Sequence, residues 1–189
     1  MSTTLTPTTN ATGTYTIDAT HSRIGFVARH AMVTKVRGSF NEFTGTGYFN
    51  AENPTESSLN LTIEVASIDT RNADRDAHLR NNDFFDAPTF PQITFASTSV
   101  ESVDANNIKV TGDLTIKGVT LPVTVGFEVV GTATDPYGNT RLGLEGTAVI
   151  NRKDWGVSFN VALDAGGVMV SEKITLEFEV SAIKNAEAA

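Results

Sequence analysis

Hydrophobic and polar residues alternate with a period of two over most of the chain. Because successive side chains of a β-strand point to opposite faces, this pattern predicts strands with one buried and one solvated face, as in antiparallel sheets. The predicted inward rows are Ile24, Phe26, Ala28 and His30; Leu59, Leu61, Ile63 and Val65; Ile108, Val110, Gly112, Leu114 and Ile116; Leu121, Val123, Val125, Phe127 and Val129; Leu142, Leu144, Gly146, Ala148 and Ile150; and Ile174, Leu176, Phe178 and Val180.

Turn-forming residues separate several of these rows. Residues 117–119, 135–139 and 164–167 carry Gly or Pro in patterns typical of reverse turns. The spacing predicts about eight or nine strands, which favours a closed barrel or a sandwich. Strands do not alternate with helices, so a parallel α/β sheet is not expected. The sequence thus predicts one all-β domain over residues 14–184, with tails at 1–13 and 185–189.

A stretch at residues 75–91 interrupts the alternation. It combines many charges with one of the three histidines and three phenylalanines. Asn72 or Asp74 is expected to cap a short helix that ends at about Arg80. Two prolines further on predict an extended exit toward the next strand. This helical insertion is the main exception to the β pattern.

Composition and charge narrow the classes of function. The chain has 189 residues, of which 40% are hydrophobic, and it contains no cysteine. Its net charge of -8 disfavours nucleic acid and anionic membranes as partners, because phosphate contacts need clustered cations. It shows neither a secretory signal pattern nor an apolar segment of transmembrane length. We therefore expect a cytoplasmic protein without stable membrane insertion and without a cofactor.

The predicted inward rows mix large side chains such as Phe26 and Phe127 with small residues such as Ala28 and Gly146. One interpretation is that the small residues make room for the large rings in a filled core, and composition alone favours it. The other is that they line an apolar cavity, since a barrel of about eight strands can hold one small ligand. Both remain open from the sequence.

The helical insertion also holds the main candidates for chemistry. Arg75, Asp76 and His78 have the types of an acid, a base and a cation for hydrolysis. The favoured interpretation is a hydrogen-bonded network that fixes the insertion to the barrel. A further alternative is that Arg75 or Arg80 binds a phosphate or quinone oxygen at the barrel mouth. Scattered histidines and the lack of a ligand motif argue against a metal site.

A series of motifs runs in order along nearly the whole chain: YTIDATHS at 15–22, VRGSF at 36–40, ASIDT at 66–70, RDAHL at 75–79, DFFD at 83–86, GDLTIKGVT at 112–120 and INRKDWG at 150–156. Together they resemble the YceI-like family of polyisoprenoid-binding, lipocalin-like bacterial proteins. Family members often carry Trp where Tyr15 stands, and many carry a secretory signal.

The resemblance implies an extended eight-stranded antiparallel barrel with a short helical insertion and an apolar tunnel. It also implies non-enzymatic binding, storage or transport of a long isoprenoid amphiphile, such as an isoprenoid quinone or a polyprenyl phosphate. The alternative is an enzyme that acts on such a lipid through Arg75, Asp76 and His78. A homodimer is left open.

The expected ligand contacts come from the inward rows and from apolar residues of the insertion. For His30, a hydrogen-bonded position at the barrel end is an equal alternative to a place on the cavity wall. For Trp155, a core anchor at a strand end is slightly preferred to a tunnel-wall residue. The full set of candidates is Phe26, Ala28, His30, Phe40, Phe43, Leu61, Ile63, Leu79, Phe84, Phe85, Phe95, Leu114, Ile116, Phe127, Leu144 and Trp155.

Overall fold

The computed structural model describes residues 11–164 and 166–186 as antiparallel strands with one α-helix. Most of the predicted tails, and position 165 of the predicted turn at 164–167, lie outside the described residues. The elements are β1 Gly13–Ile17, β2 Arg23–His30, β3 Thr34–Phe40, β4 Phe43–Phe49, β5 Ser58–Glu64, β6 Ile68–Asp69, α1 Ala73–Arg80, β7 Gln92–Ser102, β8 Asn107–Ile116, β9 Val119–Thr134, β10 Thr140–Asn151 and β11 Lys173–Lys184.

The strands close into a barrel of eight positions. Three positions are each shared by two successive strands, because a short break separates β1 from β2, β3 from β4 and β5 from β6. Both β1 and β2 pair with β11, and this closes the ring. From there the order runs through β4, β5, β7, β8, β9 and β10 back to β11, with every pair antiparallel. The barrel predicted from the sequence is confirmed.

Two tight turns follow the sequence signals. Lys117 and Gly118 both have positive φ, as a two-residue hairpin turn between β8 and β9 requires. Between β9 and β10, the carboxylate of Asp135 accepts hydrogen bonds from the backbone N–H groups of Tyr137 and Asn139. Both turns therefore lie where the sequence predicted them.

The barrel has two unlike ends. The β8–β9 turn, α1 and the tip of the β2–β3 hairpin lie at one end, which we call the mouth. The β7–β8 and β9–β10 turns lie at the opposite end, which we call the far end. The registers fix this assignment, since β11 begins at the mouth and ends beside β1 at the far end.

Glycines on the inner face leave room for phenylalanine rings. A Cβ atom on Gly112 would fall 2.5 Å from Cζ of Phe95, and one on Gly146 would fall 2.5 Å from Cδ1 of Phe127. Gly38 lies in the same way against the ring of Phe26. The filled-core interpretation therefore describes Gly112 and Gly146 correctly.

The helix of the insertion begins where the sequence predicts. Asn72 is the N-cap, and its side chain accepts a hydrogen bond from the backbone N–H of Arg75. Asp74, the alternative cap, lies within the first turn instead. The carboxylate of Asp76 accepts hydrogen bonds from the backbone N–H and the hydroxyl of Thr70, just after β6. These contacts hold α1 against the barrel wall.

Candidate functional site: an apolar cavity in the barrel

The barrel encloses a cavity of about 160 Å³. Side chains from all eight positions of the ring line it, through β1, β2, β3, β5 and β7 to β11, and α1 adds Leu79. Among the lining residues, Arg152 alone carries a charge, and the others are aliphatic, aromatic or glycine. An apolar cavity of this kind excludes water and accepts apolar ligands.

Most of the predicted contact residues lie on this wall. The residues placed there are Phe26, Ala28, Phe40, Leu61, Ile63, Leu79, Phe84, Phe85, Phe95, Leu114, Ile116, Phe127 and Leu144. Whether they touch a ligand stays a prediction, but the structure brings them together around one space. Ala28 lines the cavity, so the cavity interpretation describes this small residue while the filled-core interpretation describes the inner glycines.

Three predicted residues lie elsewhere. His30 is exposed at the end of β2, because the strand extends beyond the start of β11 there. Phe43 is buried at the start of β4 but does not line the cavity. Trp155 is buried, and its Nε1 donates a hydrogen bond of 2.9 Å to the carbonyl of Leu114. Trp155 is thus a core anchor, which was the preferred interpretation.

The structure adds residues that the list of contacts lacked. One side of the wall comes from Ile174, Leu176, Phe178 and Val180 of β11, all only half-buried. They form one of the predicted inward rows, so the alternation did contain the signal. In a filled core an inward row is fully buried, whereas on a cavity wall it stays partly exposed to the cavity. The sequence does not show this difference, because it arises only when the strands close into a barrel.

Arg152 is the second addition, and it lies at the mouth. Its guanidinium donates to three backbone carbonyls: Nη1 to Val157 at 2.6 Å, Nε to Ser171 at 2.8 Å and Nη2 to Val170 at 3.3 Å. Burial lowers the pKa of Arg152, and the charge of Glu172 acts in the opposite direction. The side chain is 6% exposed and belongs to the cavity wall. It therefore places a fixed positive charge at the entrance of an apolar space.

Apolar residues of the insertion close part of the mouth. Leu79, Phe84 and Phe85 line the cavity, as their position in the insertion suggested. The ring of Phe85 lies 6.1 Å from that of Phe40, and the ring of Phe84 lies 5.1 Å from that of Phe159. These aromatic contacts tie the insertion to β3 and to the segment after β10.

The charged residues of the insertion make contacts that hold the fold. Arg75 donates from Nε to the hydroxyl of Thr70 at 2.7 Å and from Nη2 to its carbonyl at 2.6 Å. Nε2 of His78 lies 2.8 Å from a carboxylate oxygen of Asp83. Arg75, Asp76 and His78 are all absent from the cavity wall. The network interpretation fits this geometry.

No group of three or more His, Asp or Glu side chains is arranged to hold a metal ion within residues 11–164 and 166–186. Among the helices of that same part of the chain, none has the length and apolar character needed to cross a membrane. The candidate site is therefore the cavity itself and the polar groups at its two ends.

The far end carries a polar cluster around Arg141. Its Nη1 lies 2.8 Å from Oδ2 of Asp18, and its Nε lies 2.8 Å from Oδ2 of Asp135. Hydrogen bonds from the side chains of Thr20, Arg141 and His21 lower the pKa of Asp18. Arg141 thus connects the break between β1 and β2 to the β9–β10 turn.

A second apolar void of about 60 Å³ lies on the far-end side of the cavity. The two spaces share five lining residues: Ile17, Leu59, Phe127, Leu144 and Val180. Phe127 has the largest side chain of the five. The main cavity is close in size to engineered cavities of about 150 Å³ that hold benzene, and below the roughly 300–1,000 Å³ of typical ligand pockets. A long chain can therefore enter only if the lining rings rotate.

A closed antiparallel barrel with an apolar interior and one covered end defines a lipocalin-like class of protein. The family model of the YceI-like domain matches residues 15–182, and the chain belongs to that family. Protein YceI of Escherichia coli O17:K52:H18 is 38% identical over 164 residues, which cover 87% of this chain and 82% of that protein.

Solved structures agree with this assignment. The crystal structure of Burkholderia cenocepacia BcnA has a TM-score of 0.78 at 27% identity and covers 87% of this chain and 98% of its own. A polyisoprenoid binding domain from Saccharophagus degradans has a TM-score of 0.68 at 16% identity and covers 90% of this chain and 98% of its own. At that identity the likeness concerns the fold alone.

Proposed function

We propose that this protein binds a long-chain isoprenoid, or a similar amphiphile, in the barrel cavity as a non-enzymatic carrier or store. The observation that carries the proposal is the cavity wall, which is apolar throughout except for Arg152 at the mouth. The structural neighbour from Saccharophagus degradans, which shares the fold, is described as a polyisoprenoid binding domain, and this motivates the choice of ligand class. The YceI-like family assignment is consistent with it.

The polar end of the ligand would lie at Arg152. This guanidinium has five N–H donors, and the three hydrogen bonds to backbone carbonyls leave two for an oxygen of a head group. A phosphate or quinone oxygen fits such a donor, because a charge-assisted hydrogen bond in a low-dielectric site is stronger than one between neutral groups. This position replaces Arg75 and Arg80 as the cation expected at the mouth, since neither of them lines the cavity.

The tail needs no specific polar contact. Each buried methylene contributes about 0.8 kcal/mol, so a chain of a few isoprene units gains affinity from burial alone. Part of that gain is offset by ordering the chain and by rotating the rings that fill the cavity. We therefore propose that affinity rises with chain length and then levels off when both apolar spaces are full.

The test is displacement of an apolar fluorophore by prenols and prenyl phosphates of increasing length. Ala28→Phe adds a ring to the cavity wall, while Val149→Phe adds one to an exposed outward position of β10. We expect Ala28→Phe to weaken binding of long chains by at least tenfold and Val149→Phe to leave it unchanged. Equal affinity of both variants and the wild type for every chain length would contradict the proposal.

The finer points of the proposal need separate measurements. A preference for phosphate over alcohol that Arg152→Met abolishes would support a charged head group, and an equal affinity would favour a quinone or another neutral lipid. The cytoplasmic location and the homodimer stay predictions. The enzymatic alternative through Arg75, Asp76 and His78 finds no support in their contacts, since Arg75 and Asp76 bind Thr70 and His78 contacts Asp83.

A further inference from the structure

The β2–β3 hairpin differs in charge from the rest of the chain. The chain has a net charge of -8, yet residues 19–41 contain four Arg and Lys residues and no Asp or Glu. The four cations are Arg23, Arg29, Lys35 and Arg37. An acidic protein thus carries one strongly basic element, which the net charge conceals.

The basic residues face each other without an acidic partner near the tip. Arg29 and Lys35 are directly opposite in the antiparallel register, where like charges are destabilising. Within the described residues, Arg37 pairs with Glu177, but neither Arg29 nor Lys35 forms a salt bridge. A pair of facing, exposed cations is relieved when an external anion lies between them.

The tip of the same hairpin is apolar and exposed. Met32 is 57% exposed and Val33 is 75% exposed, at the turn between β2 and β3. Val161 and Met169, from the neighbouring segment after β10, are also among the exposed large apolar residues. Exposed apolar side chains flanked by cations are the combination that binds the interface of a lipid bilayer.

The tip is held firmly on that neighbouring segment. The backbone N–H of Ala31 donates to the carbonyl of Met169 at 2.7 Å, and the N–H of Arg29 donates to the hydroxyl of Ser171 at 2.8 Å. His30 forms a β-bridge with Val170. Val170 itself lines the cavity, so the hairpin tip is bonded to a segment that contributes to the cavity wall.

We propose that the β2–β3 hairpin docks on a bilayer that contains anionic lipids, with Met32 and Val33 in the acyl boundary and Arg29 and Lys35 on phosphates. Ala28 is the last cavity residue on β2, four residues before Met32. A chain leaving the mouth along β2 would therefore enter the bilayer within roughly 13 Å. The docking proposal is based on the hairpin alone. The idea that docking serves to load or deliver a lipid rests on the proposed function.

The test is co-sedimentation with vesicles of phosphatidylcholine alone and of phosphatidylcholine mixed with phosphatidylglycerol. The wild type is expected to bind the mixed vesicles more strongly, and added salt should weaken that binding because it screens exposed charges. The double variant Met32→Ser, Val33→Ser should weaken binding by roughly tenfold, through lost apolar burial. Lys35→Glu should weaken binding to the mixed vesicles by roughly tenfold or more.

Two variants serve as matched controls. Val149→Ser removes an exposed apolar residue from the side of the barrel, and Lys109→Glu reverses an exposed cation there. Both should bind vesicles as the wild type does. Absence of wild-type binding to mixed vesicles, or equal binding by the tip variants, overturns the docking. A wild-type dimer that light scattering shows to dissociate in the Met32, Val33 variant would also overturn it, by assigning the patch to a second copy.

The outcome is separable from that of the proposed function. If the protein binds vesicles but takes up no prenyl chain, the docking proposal is supported and the carrier proposal is refuted. Chain uptake by a protein that ignores both kinds of vesicle would refute the docking and sustain the carrier.

Discussion

The ring of Phe127 lies over the backbone of Gly146, its direct partner across β9 and β10. A methyl group on Gly146 would fall 2.5 Å from Cδ1 of the ring. Phe127 also lines both the main cavity and the second void. The position of this ring, and with it the size of the cavity, therefore depends on the absence of a side chain at Gly146.

Gly146→Ala should force the ring of Phe127 to move and should lower the free energy of unfolding by about 1–3 kcal/mol through overpacking. Chemical denaturation measures this change. Gly126→Ala is the control on the neighbouring strand, because a methyl group there meets no atom within 4 Å. The control should change stability by less than about 1 kcal/mol. Equal effects of the two variants would show that the Phe127–Gly146 contact is not as described.

Removal of Asp76 should loosen the helical insertion. Asp76→Ala leaves the N–H and hydroxyl of Thr70 without their acceptor, and an unsatisfied buried group costs about 1–3 kcal/mol. Hydrogen exchange should speed up first in α1 and at Thr70. Asp74→Ala, at an exposed position of the same helix, should have a smaller effect. If hydrogen exchange in Asp76→Ala sped up equally across the whole barrel, this would argue against a local role of Asp76 in holding the insertion.

The far end should make stability depend on pH in the acid range. Partial burial opposes ionisation of Asp135, but hydrogen bonds from Asn139 and Arg141 outweigh it and hold the pKa at about 2. The pKa of Asp18 is also lowered. Because both folded-state values lie below the unfolded value of about 3.9, their contribution is full above that pH and is lost as pH falls toward 2.

Arg141→Gln should flatten this dependence, because it removes the cation that both carboxylates share. Urea unfolding between pH 6 and pH 2 measures it, and Arg37→Gln, which breaks an exposed ion pair, is the control. An unchanged slope in Arg141→Gln would place the acid sensitivity elsewhere.

Arg152 should be needed for both folding and recognition. Arg152→Met removes the donor to three carbonyls and should lower the free energy of unfolding by roughly 3 kcal/mol. Arg152→Lys keeps the charge but forms fewer hydrogen bonds, so its stability should lie between that of the wild type and that of Arg152→Met. If prenyl phosphate binds Arg152→Lys better than Arg152→Met, while prenol binds both equally, the charge acts on the head group. Equal binding of the phosphate by both variants would contradict that role.

The barrel and its inward rows were predictable because alternation along a strand is a local property of the sequence. The cap at Asn72 and the turn at residues 117–119 were predictable for the same reason. The resemblance to the YceI-like family added the closed eight-position ring, which alternation left undecided between a barrel and a sandwich.

What the sequence could not predict depends on contacts between distant segments. Arg152 reaches carbonyls at Val157, Val170 and Ser171, and nothing in its local sequence places it on a cavity wall. His30 continues the alternation of β2, yet it lies beyond the start of β11 and is exposed. The sequence also could not predict which small residues lie beneath aromatic rings and which line the cavity, because this depends on how facing strands pack.

The most direct test of the central claim is native mass spectrometry of the protein purified from bacterial cells without detergent. The account predicts a bound species of prenyl-lipid mass that is lost after organic extraction and is reduced in Ala28→Phe but not in Val149→Phe. Wild-type protein that carries no lipid and gains none when prenols are supplied would contradict it.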